Sequence, residues 1–386
     1  MKSIYSSKKR VLSVVMVAIF TDMLMYGLVV PFLPIYAETL GASQSKIGLL
    51  FASYAIALLI STPIFGAIAD RVGRKKLLVF GLVSLAMTTM VYALAFNFWV
   101  LVLARFLQGV AASIPWTAGL SLLAENFPQE ERGKAMGTAM SSQAGGVLLG
   151  PLLGGWLYEW GGYQAPFFIA VGIALIAAIL SIVFLRNVND SRAENFSSPF
   201  HVLRRKQVLM IVGVAVIGSA VFASIEPTLP IHLYKHLNVS PGVIGTMFIV
   251  VTLAYGLSAP LIGAFSTRFG YVKTMMVGVV LVAVTLPLNA LPTQLWLQIV
   301  TLAMLGISLG IVLTPALPKL AEISDQAGVV SQGVTFAVYN TGYSFGMMMG
   351  PLLASGIAGS FGLKMAYLTL SVIFLIYLIP LNRLKS

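Results

Sequence analysis

Twelve times along the chain, a run of about 20 predominantly apolar residues gives way to a short polar stretch, and this rhythm restricts the possible folds more than any other feature. The runs cover roughly 11–36, 46–68, 77–96, 99–123, 134–157, 164–186, 207–233, 242–265, 274–291, 294–321, 330–357 and 364–382. At 1.5 Å per residue, about 20 helical residues match the roughly 30 Å hydrocarbon core of a bilayer. Inside lipid every backbone N–H and C=O needs a partner within the chain, and a helix supplies one within each run. Composition agrees. Residues of the AVILMFWYC set make up 58% of the chain and charged residues 9%, whereas a soluble domain carries about 25% charged residues. The sequence predicts an all-α, multi-pass integral membrane protein with twelve transmembrane helices. Met1 to Arg10 is polar and basic, and the run after it is long enough to be the first span rather than a cleaved signal.

The net charge of +12 raises nucleic acid as a partner, but the placement of the charges argues for another role. With a cytoplasmic N-terminus, 19 of the 24 Lys and Arg fall in inner segments such as "KSIYSSKKR", "DRVGRKK" and the stretch from Arg186 to Lys206. The outer loops hold Lys46, Lys235 and Lys364, which leaves Arg105 and Lys319 within or at the ends of spans. The positive-inside rule then puts both termini in the cytoplasm. Trp99, Trp156, Trp160 and Trp296 fall near predicted outer ends, where interface anchors belong. The basic charge serves topology and anionic lipid, and no nucleic-acid partner is expected.

Several chemistries are excluded. Cysteine is absent, which removes disulfides and thiol ligands. His232 and His236 have the i, i+4 spacing of a metal pair, but no third ligand is evident and they read as surface residues at an outer helix end. There is no Walker A motif or dinucleotide fingerprint, so neither ATP nor a cofactor is expected. Without a nucleophile–base pair or an extramembrane domain, an enzyme or receptor is not expected.

The longest polar stretch, "RNVNDSRAENFSSPFHVLRRK" (186–206), separates two halves that repeat each other. "VPFLPIY" at 30–36 answers "EPTLPIH" at 226–232, and "GAIADRVG" at 66–73 answers "GAFSTRFG" at 263–270. "GVLLGPLLGG" at 146–155 answers "GMMMGPLLAS" at 346–355. The offsets stay between 196 and 200 residues, which indicates two pseudo-symmetric six-helix bundles, 1–187 and 207–386, joined by a cytoplasmic linker at 188–206. Such repeats build transporters with a central site between two rocking bundles.

The motifs in these halves resemble those of the major facilitator superfamily, over essentially the whole chain. "GAIADRVGRKK" (66–76) is similar to the family's signature between spans two and three, with Asp70, Arg71 and Arg74. "ARFLQG" (104–109) is similar to its span-four motif, with Arg105, Gln108 and Gly109. "GGVLLGPLLGG" (145–155), with Gly150 and Pro151, resembles the span-five motif of proton-coupled antiporters, and "YGLVVPFLP" fits the span-one pattern of twelve-span drug/proton antiporters. Within that group "IGLLFAS" (47–53), "EERGKAMG" (130–137), "LYEWGGYQAPF" (157–167) and "IEPTLPI" (225–231) resemble the vesicular monoamine transporters and their bacterial homologues. The resemblance implies alternating access and exchange of protons for organic cations. Where the vesicular branch has a Lys in span two this chain has Tyr54, and where that branch has an Asp in span eleven it has Asn340.

Few ionisable residues lie inside the spans, and each costs upwards of about 2.5 kcal/mol at the bilayer centre, so each is a candidate for function. Asp22 stands 11 residues into span one, about 16 Å deep and near the midplane. Burial favours its uncharged form and a nearby cation its charged form, so a proton and a cationic amine can compete for it. Glu226, in the outer half of span seven, lies at a depth similar to that of Arg105 in span four, and the two are expected to pair across the halves and gate the outer side. Glu322 stands near the inner end of span ten beside Lys319 and reads as structural or gating. Phe336, Asn340 and Tyr343 recur on one face of span eleven, and Tyr26 shares the helix face of Asp22. Aromatic faces suit a protonated amine through cation–π attraction.

The expectation is a monomeric, proton-coupled antiporter of multidrug or monoamine-like cations in a bacterial inner membrane. Asp22 is shared between proton and substrate, and the Asp70 loop holds one conformation. The alternative on the same fold is a facilitator or proton symporter of a neutral metabolite.

Overall fold

The computed structural model describes residues 2–186, 188, 206–326 and 332–384, with the side chains of 2–7, 70, 129–130, 325–326 and 332–336 outside the described set. Nearly all of the expected linker therefore lies outside the described residues. The described residues are helical and contain no strand. In order, the helices are α1 (Lys2–Leu28), α2 (Leu33–Thr39), α3 (Gln44–Val72), α4 (Arg74–Ala93), α5 (Phe98–Asn126), α6 (Gln129–Gly161) and α7 (Ala165–Leu185). There follow α8 (Lys206–His236), α9 (Pro241–Phe269), α10 (Tyr271–Leu288), α11 (Leu295–Leu313), α12 (Ala316–Gln326), α13 (Gln332–Ile376) and α14 (Leu378–Leu381).

Ten segments of the described chain are long and apolar enough to cross a membrane, against the twelve runs read from the sequence. Two physical causes account for the difference. The segment Ala337–Leu381 holds 45 residues, which at 1.5 Å per residue is more than twice the thickness of a hydrocarbon core. It breaks at Gly362, whose φ of 82° lies in the left-handed region that glycine enters freely, so two crossings' worth of helix run on through one kink. The other cause is α6, whose glycines and serines lower its hydropathy and keep it out of the ten.

The helices sort into two compact units. One comprises Met1–Leu33, Ser53–Asn195 and Pro241–Gly245, the other Pro34–Ala52, Phe196–Ser240 and Thr246–Ser386. In the first, α1 packs on α5, α6 and α7, and α4 packs on α5 and α7. In the second, α8 packs on α11, α12 and α13, and α10 packs on α11 and α13.

One seam in each unit has the same construction. On α6, Gly146, Gly150 and Gly154 follow at four-residue intervals and so share a face. A Cβ at Gly146 would lie 2.6 Å from the carbonyl oxygen of Phe20, and one at Gly150 would lie 2.6 Å from that of Leu24. Gly154 meets the Leu28 carbonyl in the same way. On α13, Gly346 rests on the Val216 carbonyl and Gly350 on that of Ala220. Small residues let two helix backbones touch where lipid offers no hydrophobic drive to bring them together.

Candidate functional site

The polar centre of the first unit is built on α1 and α5. The α6 glycines seat the backbone of α1 at Phe20, Leu24 and Leu28, which fixes its rotation and turns Asp22 towards α5. Asp22 is fully buried. The indole Nε1 of Trp116 donates to its Oδ2 at 2.8 Å, while Oδ1 has no hydrogen-bond partner among the described residues. The carboxylate therefore has a neutral donor on one oxygen and an open acceptor on the other.

Arg105 is the largest fully buried side chain of the described residues. Its Nη1 donates to Oε1 of Gln108 at 3.0 Å and more weakly to the Tyr26 carbonyl at 3.4 Å. Gln108 in turn donates to the Met25 carbonyl at 3.4 Å, so the two side chains of the "ARFLQG" motif fasten α5 to the turn of α1 that follows Asp22. The Arg105 Cζ sits 4.8 Å from the ring centroid of Tyr26 and 4.9 Å from that of Tyr54, and the two rings are themselves 4.9 Å apart. A guanidinium remains charged at any accessible pH, and its plane suits stacking on aromatic faces. Desolvated contacts of this kind are worth about 2 kcal/mol each. Arg105 acts electrostatically on both Asp22 and Tyr92.

In the second unit Glu226 is buried on α8 beside two prolines, Pro227 and Pro230. Each proline removes an N–H and leaves a carbonyl one turn earlier without its intrahelical donor. Thr228 bridges the Ser224 carbonyl, at 2.7 Å, and the Tyr367 hydroxyl, at 2.8 Å. Gln44 donates to the Pro227 carbonyl at 3.0 Å and to the Ser355 hydroxyl at 3.3 Å. Tyr343 lies within electrostatic range of Glu226 and of Tyr255. The rings of Tyr339 and Tyr343 are 6.4 Å apart and nearly parallel, with an interplanar angle of 29°. Tyr343 and Asn340 are half-buried.

Of the residues singled out in the sequence, Asp22, Tyr26, Arg105 and Gln108 come together on the α1–α5 contact, and Gly150 and Pro151 lie on the α1–α6 seam behind it. Glu226 and Tyr343 group in the second unit. The side chains of Asp70 and Phe336 lie outside the described residues. Arg71 is exposed, whereas Arg74 is buried, forms an ion pair with Glu125 of α5 and donates to the Ser121 carbonyl at 3.2 Å. Glu322 pairs with Lys319 at 3.1 Å. His232 and His236 stack at 4.4 Å, and among the described residues no cluster of three potential metal ligands occurs.

Trp116, Glu125, Tyr255 and Tyr339 are not among the residues that the sequence singles out. A signal existed for the first. Of the five tryptophans, Trp116 alone stands mid-span rather than near a predicted interface. It shares a face of α5 with Arg105, at a separation of 11 residues or about three helical turns.

A family model described as the Major Facilitator Superfamily matches residues 15–231 and 211–384. A probable vesicular acetylcholine transporter-B of Danio rerio is 28% identical over 385 residues, covering 96% of this chain and 78% of that protein. The human chromaffin granule amine transporter is also 28% identical, with 86% of this chain matched and only 64% of that longer protein spanned. Among solved structures, a bacterial homologue of the human lysosomal transporter Spinster, in an inward-facing and occupied conformation, superposes with a TM-score of 0.81 at 13% identity, over 96% of this chain and 95% of that one.

Proposed function

The chain belongs to the Major Facilitator Superfamily, and from that premise we propose that it is a proton-coupled antiporter that exports organic cations of the amine class by alternating access. The observation that carries this reading is the state of Asp22. It is a fully buried carboxylate with one oxygen held by an indole N–H and the other open, and no cation bonds it directly among the described residues. A carboxylate so placed is costly when ionised and uncompensated, and either a proton or a protonated amine relieves that cost. The two cations then exclude each other at one site, which is the chemistry exchange requires.

In this reading Arg105 is the fixed counter-charge. Its cradle of Tyr26, Tyr54 and Gln108 holds it away from lipid, and it exchanges its interaction between Asp22 and Glu226 as the cycle proceeds. Tyr343, Asn340 and Phe336 form the aromatic and amide wall that receives the substrate. Asp70, Arg71 and Arg74 stabilise one conformation from the cytoplasmic side, with Arg74 anchored on Glu125. The proposed architecture is twelve crossings in two six-helix bundles, 1–187 and 207–386, joined by the 188–206 linker, with both termini cytoplasmic. The proposed setting is a bacterial inner membrane, with the protein working as a monomer. The names of the two relatives, one an acetylcholine transporter and the other an amine transporter, support an organic-cation substrate class.

The test is uptake of labelled amines into proteoliposomes with an acidic interior, comparing wild type with Asp22→Asn. Gradient-driven accumulation in wild type and none in Asp22→Asn supports exchange through Asp22. Equal accumulation in both removes Asp22 from the mechanism. Equilibration of a neutral solute with no accumulation of any amine points instead to a facilitator.

A further inference from the structure

We propose that the first unit carries a binding site for an anionic glycerophospholipid between the start of α4 and the end of α7. The two helices pack against each other, and their ends form an open recess of about 390 Å³ lined by Lys75, Lys76 and Arg186 together with Val79, Ser181, Ile182 and Leu185. Three cations and, among the described residues that line it, no carboxylate face it. Lys76 and Arg186 are exposed, and Lys75 is half-buried. Below the cations the lining, apart from Ser181, is apolar and continues as two strips directed along the spans. On α4, Phe80 and Met87 are exposed on the face of Lys76, and on α7, Ile182, Ile179 and Leu175 follow at helical spacing.

This arrangement matches a lipid in two respects. Basic pockets between spans at the cytoplasmic side take anionic head groups, and the apolar strips provide a path for the acyl chains beneath the phosphate. A zwitterionic head group fits poorly, because its ammonium would be brought against three fixed cations. Free inorganic phosphate would use the cations and leave the apolar strips idle. Long basic side chains reach the head-group level while their stems cover apolar surface, which is how Lys75 and Lys76 can serve both parts of the recess.

The test is native mass spectrometry of the purified full-length protein equilibrated with equal amounts of phosphatidylglycerol and phosphatidylcholine. Wild type is expected to retain phosphatidylglycerol preferentially, by about fivefold for each contributing cation and roughly 100-fold when all three contribute. A variant combining Lys75→Ala, Lys76→Ala and Arg186→Ala should lose that preference. One combining Arg268→Ala, Lys273→Ala and Arg383→Ala removes the same charge from the second unit and should keep it. A charge-retaining Lys75→Arg, Lys76→Arg variant should behave as wild type, which separates loss of the site from loss of folding. The proposal is overturned if wild type shows no preference, or if the control triple loses it equally. Displacement of the lipid by millimolar inorganic phosphate would also overturn it, since the ligand would then be the free anion.

Discussion

The seams α1–α6 and α8–α13 have the same backbone construction and opposite chemistry. Each is a glycine row pressed onto the carbonyls of its partner helix, with Phe20 and Leu24 in one unit matched by Val216 and Ala220 in the other at an offset of 196 residues. The contact of Gly109 on the Tyr54 carbonyl likewise has its counterpart in Gly306 on that of Val251. The charges do not repeat. At the same offsets Asp22 corresponds to Gly218, Arg105 to Leu302, and Glu226 to Val30. Close helix contact depends on the absence of side chains, so both copies need the same glycines. An ionised group inside lipid is expensive, so it persists only where it has a task.

The sharpest way to break this comparison is to move the acid. Asp22→Asn should reduce gradient-driven amine uptake by at least about 100-fold, the lower end of what a positioned proton-transfer group contributes. Adding Gly218→Asp to that variant should not restore uptake, because among the described residues the second unit has no tryptophan and arginine arranged around the equivalent position. Restored uptake would mean that the two seams are interchangeable and that the surroundings of Asp22 are incidental.

A smaller effect is expected from Arg105. Replacing it with its repeat counterpart, Arg105→Leu, should lower transport by roughly tenfold to 100-fold, which corresponds to a net loss of about 2 kcal/mol of cation–π attraction. Arg105→Lys should recover little of this, because an ammonium cannot stack on Tyr26 and Tyr54 as a planar guanidinium does. Transport assays on the pair decide whether charge alone suffices.

The glycine rows themselves predict equal damage to stability and unequal damage to function. Gly150→Val and Gly350→Val should each cost about 1–3 kcal/mol through overpacking, visible as similar losses of thermal stability in detergent. Only Gly150→Val displaces the helix that carries Asp22, so it should impair amine binding more at matched amounts of folded protein. The smallest effect belongs to Glu322→Gln. The carboxylate of Glu322 is 42% exposed, and solvent screening leaves its pair with Lys319 worth less than about 1 kcal/mol, so transport should stay near wild type. A large loss there would give Glu322 a direct part in transport instead.

Much of this organisation is written locally in the chain and some of it is not. The spans are legible because each must be apolar along its own length, and the repeat is legible because glycine rows survive divergence. Asp22 and Arg105 are conspicuous as lone charges among apolar neighbours. The partners that define their surroundings are less visible. Tyr54 and Trp116 reach Arg105 and Asp22 from helices far off in sequence, and no spacing rule encodes a contact between helices. The same holds for Glu125, which reads as a charge at a helix end until Arg74 is found beside it. On α13 the i, i+4, i+7 rule groups Phe336, Asn340 and Tyr343, and it leaves out Tyr339, whose ring stacks on that of Tyr343. The count of crossings differed for another local reason, since a single left-handed glycine lets two spans read as one helix.

The bond between the Trp116 indole and Asp22 also gives the molecule an optical gauge of its own occupancy. Indole emission responds to a charge held against its N–H. The arrival of a proton or an amine at the carboxylate should therefore change the colour and yield of that one residue. The other four tryptophans, remote from any buried acid in sequence, supply a steady background. Difference fluorescence between wild type and Trp116→Phe would then follow loading of the site in an unlabelled protein, turnover by turnover.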